Sequence, residues 1–531
     1  MSEKPTENIN SKVRDRKEPV VIVFDVGTQS ARTMIVDRAG NVLAIDKKKY
    51  DKPYFSENLD WAEQDADFYY DCICETCRNV KKSNPEIFAR IEGVSITTIR
   101  DTTICVDKDG KPLRRAVLWL DKRRAEGKPD FPTASRLALK AVGMEETCNL
   151  QFSKSVCNWI RQNQPEIWGK TYKFLLLSGY LVFKMTGNMV DSRPDIIAHL
   201  PFDNKTRDWM RDNAFIRPIF PVEREKLCDL VESGEVMGQI TKQMSDDSGL
   251  PEGLPVIAAA TDKACEILGL GCTDESTAAI GLGTTATISY ISDKYVEIEK
   301  YIPAYAALVP GKWNPEYEIY RGYWLISWFK KEFATKEVAR AEELGISPEE
   351  LLNHTLAGIP AGCEGLLFQP YFTPNVTMPS ARGAMIGFSD VHTRHHIYRA
   401  IVEGINYALI DGLKMMEQRA GVHFSRIAVG GGGSQSDEIC QITADMFGLP
   451  VVRPESFEAT GMGCAIAAFV GLGYFKNYEE GVKTMIKIHA RFEPTEEEHQ
   501  KYQELYESVY KNIYGDLKPL YQKLHDIYHR K

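Results

Sequence analysis

Residues 20–37 read VVIVFDVGTQSARTMIVD. Val20–Phe24 is apolar and largely β-branched, the composition of a strand covered on both faces. A second run, Thr33–Val36, follows after Asp25-Val26-Gly27-Thr28-Gln29-Ser30. Gly27 and its small neighbours allow a tight turn, so the two runs predict a β-hairpin. The turn region carries a carboxylate, a glycine and two hydroxyls. Backbone N–H groups and hydroxyls suit phosphate oxygens, and a carboxylate suits Mg²⁺. A hairpin with a merely polar turn accounts for the same residues, so the stretch needs support from elsewhere.

That support lies about 250 residues downstream, in Ala278–Tyr290, AAIGLGTTATISY. It repeats the pattern of apolar strand, turn (Gly281-x-Gly283-Thr284-Thr285) and apolar strand. Both hairpins carry a Gly-Thr pair. Two such hairpins in corresponding halves predict a duplicated fold with a nucleotide between the halves.

A chain of 531 residues is too long for one core and predicts two domains or slightly more. A net charge of −9 argues against nucleic acid or an acidic membrane as the main partner. The twelve cysteines are scattered, and Cys72, Cys74 and Cys77 lack a second cluster at zinc-site spacing. They read as free thiols, which fits a reducing, cytoplasmic setting. Residues 1–18 are polar and charged, a flexible leader without the apolar core of a signal peptide. No apolar run is long enough to span a membrane.

Along the chain, Gly93–Ile99 predicts a strand ending in Arg100-Asp101-Thr102, and Ala116–Leu120 one ending around Trp119 and Asp121. Charged residues at the C-terminal ends of buried strands are where open α/β sheets place ligands. Leu254–Ala260 predicts a strand that delivers Thr261-Asp262-Lys263 to the start of a helix. Asp262 reads either as a plain helix N-cap or as a site carboxylate. Ile427–Val429 predicts a strand running into Gly430-Gly431-Gly432-Gly433-Ser434-Gln435-Ser436 and a helix. Four glycines there let backbone lie against a planar or anionic group, with a helix N-terminus aimed at it. The spacing is neither that of a P-loop nor that of a Rossmann turn, and a linker is the competing reading. Residues 478–531 read as a charged helical tail.

These pieces, in this order, resemble the FGGY family of carbohydrate kinases. The resemblance covers most of Val20–Phe475. It rests on Asp25-x-Gly-Thr-x-Ser-x-Arg32, Trp61-x-Glu-Gln64, Trp119-x-Asp-x-Arg123, Gly281-x-Gly-Thr-Thr285 and Gly430-Gly-Gly-Gly-Ser-Gln435, with Leu250–Val256 and Gly365–Tyr371 in support. It implies an α/β chain of two ribonuclease H-like domains, of the actin and heat-shock-ATPase type, with sugar and ATP in the cleft between them. The expected division is a leader at 1–18, an N-terminal sugar-binding domain at 19–273, a C-terminal nucleotide-binding domain at 274–477 and the tail at 478–531.

By the same resemblance, Asp262 is the general base that takes the proton of the attacking hydroxyl. Asp25, with Asp262, stands on the Mg²⁺ side. Thr28, Gln29, Ser30 and Arg32 line the nucleotide, Gly283 and Thr284 its phosphates, and Gly431, Gly432 and Ser436 its adenosine. Arg100 and Asp101 resemble the pair with which glycerol kinases hold a polyol, and Trp119 would wall the carbon chain. Two positions depart from the glycerol kinase pattern. Gln151 stands where a tyrosine is expected, and Lys263 follows the base where glutamine is expected. Lys263 reads either as a ligand for an anionic substrate group or as a surface lysine.

The expected activity is ATP-dependent phosphorylation of a primary hydroxyl on a small sugar or polyol, such as xylulose, ribulose, glycerol or erythritol. A non-catalytic sugar- or nucleotide-binding member of the same fold is the alternative, opposed by the presence of both Asp25 and Asp262. Nucleic acid and membrane are not expected partners, and a homodimer is the assembly expected of the class.

Overall fold

A computed structural model describes residues 18–197, 199–299, 302–374 and 378–528. All but the last residue of the expected leader lies outside them. The chain divides into two units. Unit 1 takes the described residues up to Pro201, then Met210–Asp262 and Cys464–Met485; unit 2 takes Phe202–Trp209, Lys263–Gly463 and Ile486 onward.

Unit 1 is built on a six-stranded sheet. Its strands are β1 (Val20–Val26), β2 (Ser30–Asp37), β3 (Val42–Lys49), β4 (Ile91–Thr98), β5 (Val236–Gln239) and β6 (Pro255–Ile257), in the order β5-β6-β4-β1-β2-β3. The first three form an antiparallel meander, with Asp25 opposite Arg32. On the other side of β1, β4 runs parallel and sets Asp25 beside Thr97. All seven residues of β1 are buried, as expected of a strand covered on both faces. Helix α1 (Ala66–Ser83) packs on the meander through Tyr69, Ile73 and Cys77, the 3–4 spacing of an apolar stripe.

Unit 2 repeats the plan. Strands β7 (Thr277–Leu282), β8 (Ala286–Ser289), β9 (Glu316–Ile319), β10 (Arg426–Gly430), β11 (Val451–Pro454) and β12 (Ile488–Phe492) lie in the order β9-β8-β7-β10-β11-β12. Again a meander of three is followed by two parallel strands and one antiparallel strand at the edge. The 27-residue helix Arg394–Ala420 packs on this sheet and buries most of its length. Each unit therefore has the α/β architecture expected from the paired hairpins.

The expected boundaries differ from these units in two ways. The changeover falls at Asp262 and Lys263 rather than at 273 and 274, and Cys464–Met485 returns to unit 1. That return is fixed by packing. Cys464 Sγ lies 3.2 Å from Ser95 Oγ, and Gly471 rests so closely on Gly234 that an added Cβ would stand 2.3 Å from its carbonyl oxygen. The tail is also not wholly helical. Ile488–Phe492 pairs antiparallel with β11 as an edge strand before two helical segments follow. Its alternation is only five residues long, with His489 and Arg491 as its polar positions, too brief to stand out between helical patterns. All twelve cysteines are free and buried. Among the described residues, no helix is long and apolar enough to cross a membrane.

Candidate active site

The residues expected at the acceptor end lie in unit 1. Two motifs that are separate in sequence meet in one buried clamp. The Arg123 guanidinium reaches Glu63 Oε1 and Asp121 Oδ2, each at 2.7 Å, and stacks over the Trp61 ring 4.0 Å from its centroid. Asp121 also accepts the Ala62 N–H at 2.7 Å. Both carboxylates and the aromatic face offset the desolvation of the buried arginine, whose Nη1 alone has no hydrogen-bond partner among the described residues. The clamp carries Trp119, which remains 43% exposed. The Trp119 indole N–H donates to Thr28 Oγ1 at 3.0 Å, so the Thr28 hydroxyl keeps its proton for another acceptor.

Beyond β6 the chain runs extended through Ala258–Thr261 and enters helix α2 (Asp262–Gly269). Three buried hydroxyls hold this approach. Ser95 Oγ donates to the Ile257 carbonyl at 2.8 Å, Ser192 Oγ to Ala259 at 2.6 Å and Thr97 Oγ1 to Ala260 at 2.8 Å. Ser192 follows Asp191, a fully buried carboxylate that accepts from Ser178 Oγ and two backbone N–H groups; burial pushes its carboxyl well up. Asp262 thus stands at the first turn of a helix, on backbone pinned to β4. Its Oδ1 lies 3.8 Å from Arg100 Nε, and its side chain is about a third exposed.

Next to Arg100, Asp101 holds φ +49°, a left-handed conformation that costs a non-glycine residue. Its Oδ2 meets His199 Nδ1 at 2.8 Å. His199 was not among the expected site residues, because the segment after Met189 reads as loop and no local pattern joins it to Asp101. The sequence expectation and the structure agree in bringing Arg100, Asp101 and Asp262 to one end of the sheet. Gln151 lies on the helix Glu145–Lys154, whose cap is Ser155; Ser155 Oγ donates to the His199 carbonyl at 3.2 Å.

The first hairpin turn is Gly27-Thr28-Gln29, closed by the Gly27 N–H on the Ser30 carbonyl at 2.9 Å. Asp25, only 4% exposed, meets Arg32 Nη1 at 2.7 Å. Arg32, read as a nucleotide contact, is therefore engaged with the carboxylate opposite it. Gln29 is exposed and Ser30 buried.

In unit 2 the two glycine stretches touch. Gly431 holds φ +82°, and an added Cβ would stand 2.8 Å from the Leu282 carbonyl carbon and 3.1 Å from Gly283 N. The N–H groups of Tyr323 and Trp324 hold the Gly283 and Thr284 carbonyls at 2.9 and 3.2 Å. Arg453 fixes the loop through Nη1 on the Ser434 carbonyl and Nη2 on Asp437, both at 2.8 Å. Thr284 is exposed, and a Cβ on Gly432 would meet no atom within 4 Å. Ser436 acts as N-cap of the helix Asp437–Phe447, accepting the Ile439 N–H at 3.3 Å and donating to Glu438 at 2.7 Å. Its hydroxyl, expected at adenosine, serves the helix. Lys263, read as a ligand for an anionic substrate group or as a surface lysine, is partly buried in unit 2. Its ammonium pairs with Glu266 at 2.7 Å, and a Cβ on Gly281 would stand 3.1 Å from it. The side chain lies along the second hairpin because α2 packs there.

Among the described residues, no group of three or more His, Cys, Asp or Glu side chains is arranged to hold a metal ion. Mg²⁺ does not need such a cage: it keeps waters and takes one or two carboxylates plus phosphate oxygens. A buried carboxylate at a strand end, as at Asp25, fits that donor set.

Comparison with known proteins agrees with this architecture. Residues 20–269 match the N-terminal domain, and residues 278–472 the C-terminal domain, of the FGGY family of carbohydrate kinases. A xylulose kinase of Staphylococcus epidermidis is 30% identical over 494 residues, 91% of this chain and 94% of that one. A gluconokinase of Bacillus subtilis is 26% identical over 488 residues, 91% and 93% of the two chains. The crystal structure of gluconate kinase from Lactobacillus acidophilus superposes with a TM-score of 0.81 at 19% identity, covering 96% of this chain and all of that one.

Proposed function

Because this chain belongs to the FGGY family of carbohydrate kinases, we propose that it transfers the γ-phosphoryl group of ATP to a primary hydroxyl of a short open-chain sugar or polyol, with Asp262 as general base. The observation that carries this reading is the pinned approach to Asp262, with Arg100 at 3.8 Å and the Asp101–His199 pair beside it. A carboxylate, a guanidinium and a second carboxylate offer both acceptors and donors to vicinal hydroxyls.

In the transfer, the acceptor oxygen bonds to the γ-phosphorus as the bond to the β,γ-bridging oxygen breaks. ADP leaves, and the hydroxyl proton passes to Asp262. Arg100 orients the base, and Trp119 excludes water along the carbon chain. The Thr28 hydroxyl and the turn N–H groups donate to phosphate oxygens. In unit 2, Gly283 and Thr284 offer phosphate contacts, and Gly431 and Gly432 offer bare backbone to the adenosine. Asp25 would hold Mg²⁺, with Asp262 as a second carboxylate; the ion, when bound, neutralises charge on the β- and γ-phosphates. The xylulose kinase and gluconokinase relatives support reading the acceptor as a chain of five or six carbons.

The test is Asp262→Asn. Loss of a general base predicts a fall in kcat of about 10³-fold, with ATP affinity, read by calorimetry, within a few-fold of the parent. Turnover near the parent's would remove Asp262 from the role of base.

A further inference from the structure

At the acceptor end two cations, Lys154 and Arg124, make no ion pair with a carboxylate among the described residues. Hydrogen bonds bring three segments together there. The Ala125 N–H holds the Ser153 carbonyl at 2.8 Å, which sets Arg124 beside the end of the helix Glu145–Lys154. Ser155 Oγ holds the His199 carbonyl at 3.2 Å, and His199 holds Asp101 at 2.8 Å. Lys154 is the residue between these two contacts. It lies three positions after Gln151 and so on the same helix face.

The local carboxylates are already engaged. Asp101 is met by His199 and Asp262 by Arg100. Asp121 is bound by Arg123, and Asp60 lies 3.6 Å from Lys122. The Lys154 ammonium, only partly exposed, has no hydrogen-bond or ion-pair partner among the described residues. Burial and the Arg124 guanidinium hold it below the ordinary lysine range, with Asp101 pulling the other way. Arg124 is likewise held low by burial, and its one side-chain hydrogen bond goes to a backbone carbonyl, Arg123 O at 3.2 Å. Lys154 is partly buried and Arg124 exposed, and two neighbouring cations with no carboxylate partner repel until an anion joins them.

We propose that Lys154 and Arg124 bind a carboxylate on the acceptor, so that the substrate is a sugar acid of the aldonate class with its primary hydroxyl at Asp262. This deepens the reading of the acceptor end given above and rests on it. It also moves the anion-binding role from Lys263, which is paired with Glu266, to the N-terminal unit.

The experiment compares alditol and aldonate of equal length: xylitol with xylonate, and sorbitol with gluconate, with xylulose and ribulose as neutral ketoses. ADP release is followed for the full-length enzyme, Lys154→Met and Lys154→Arg. The parent is expected to prefer the aldonates. A charge-assisted contact predicts that Lys154→Met lowers the aldonate-to-alditol ratio of kcat/KM about 10- to 100-fold, and that Lys154→Arg restores most of it. Neutral acceptors turned over without aldonate preference would overturn the proposal and leave the kinase assignment standing; so would a Lys154→Met variant that loses both series in proportion. If no acceptor releases ADP, the acceptor reading itself fails. Calorimetric titration with gluconate then decides: binding that Lys154→Met weakens at least tenfold upholds the anion site, and no binding overturns it.

Discussion

Aligning the two hairpins on their Gly-Thr pairs places Asp25 of β1 against Gly281 of β7. The strand order around each is the same, and each residue sits one place before the strand's end with a partner directly opposite: Arg32 for Asp25, Thr287 for Gly281. What fills the place differs. Unit 1 has a buried carboxylate held by a guanidinium. Unit 2 has no side chain, and the space above the glycine is taken by the Lys263 ammonium with its Glu266 partner. The two units share the hairpin backbone, while one position carries a buried carboxylate in one unit and no side chain in the other. The carboxylate suits a cation; the bare strand beside a lysine suits the phosphates themselves.

The comparison can be broken most directly at Asp25. Asp25→Asn keeps the shape and removes the charge. We expect kcat to fall about 10²- to 10³-fold and the Mg²⁺ concentration for half-maximal rate to rise. An unchanged Mg²⁺ dependence would show that the first turn is not the metal side. A smaller effect is expected at the contact between the two glycine stretches of unit 2. Gly431→Ala meets both a positive φ and a carbonyl carbon at 2.8 Å. It should cost about 1–3 kcal/mol of stability in thermal unfolding, and raise KM for ATP more than it lowers kcat. Equal loss in both parameters would mean that the loop supports the fold without touching nucleotide. The smallest effect is expected at Thr97, the strand neighbour of Asp25 whose hydroxyl holds the Ala260 carbonyl. Thr97→Val leaves that carbonyl without this donor and should cost about 1 kcal/mol. A few-fold loss of kcat with KM preserved would show that the bond aims Asp262; unaltered kinetics would confine Thr97 to stability.

The paired hairpins, the glycine run after a strand and the arrival of Arg100, Asp101 and Asp262 at strand ends were legible because each is local: a periodicity, a turn composition, a residue next to a strand. The features that were not legible depend on pairings across long stretches of chain. His199 reaches Asp101 across 98 residues. The hydroxyls of Ser95, Thr97 and Ser192 read as ordinary strand and loop residues until their carbonyl partners are known. Lys263 follows the proposed base in sequence, yet a helix start turns successive side chains in different directions, so adjacency to Asp262 said nothing about a shared ligand. Ser436 shows the same limit from the other side: a small hydroxyl at a helix start satisfies the helix before it can serve a ligand.

The return of Cys464–Met485 to unit 1 carries a consequence for how the protein is made. Residues that complete the first unit leave the ribosome only after most of the second unit has been synthesised. Domains are generally expected to fold as units, the N-terminal one first; here the strands beneath Cys464 and Gly471 must wait with part of their apolar surface uncovered. The nascent chain therefore passes through a long interval in which its earliest-made half is still incomplete, and a truncation near residue 273 would isolate that interval rather than a domain.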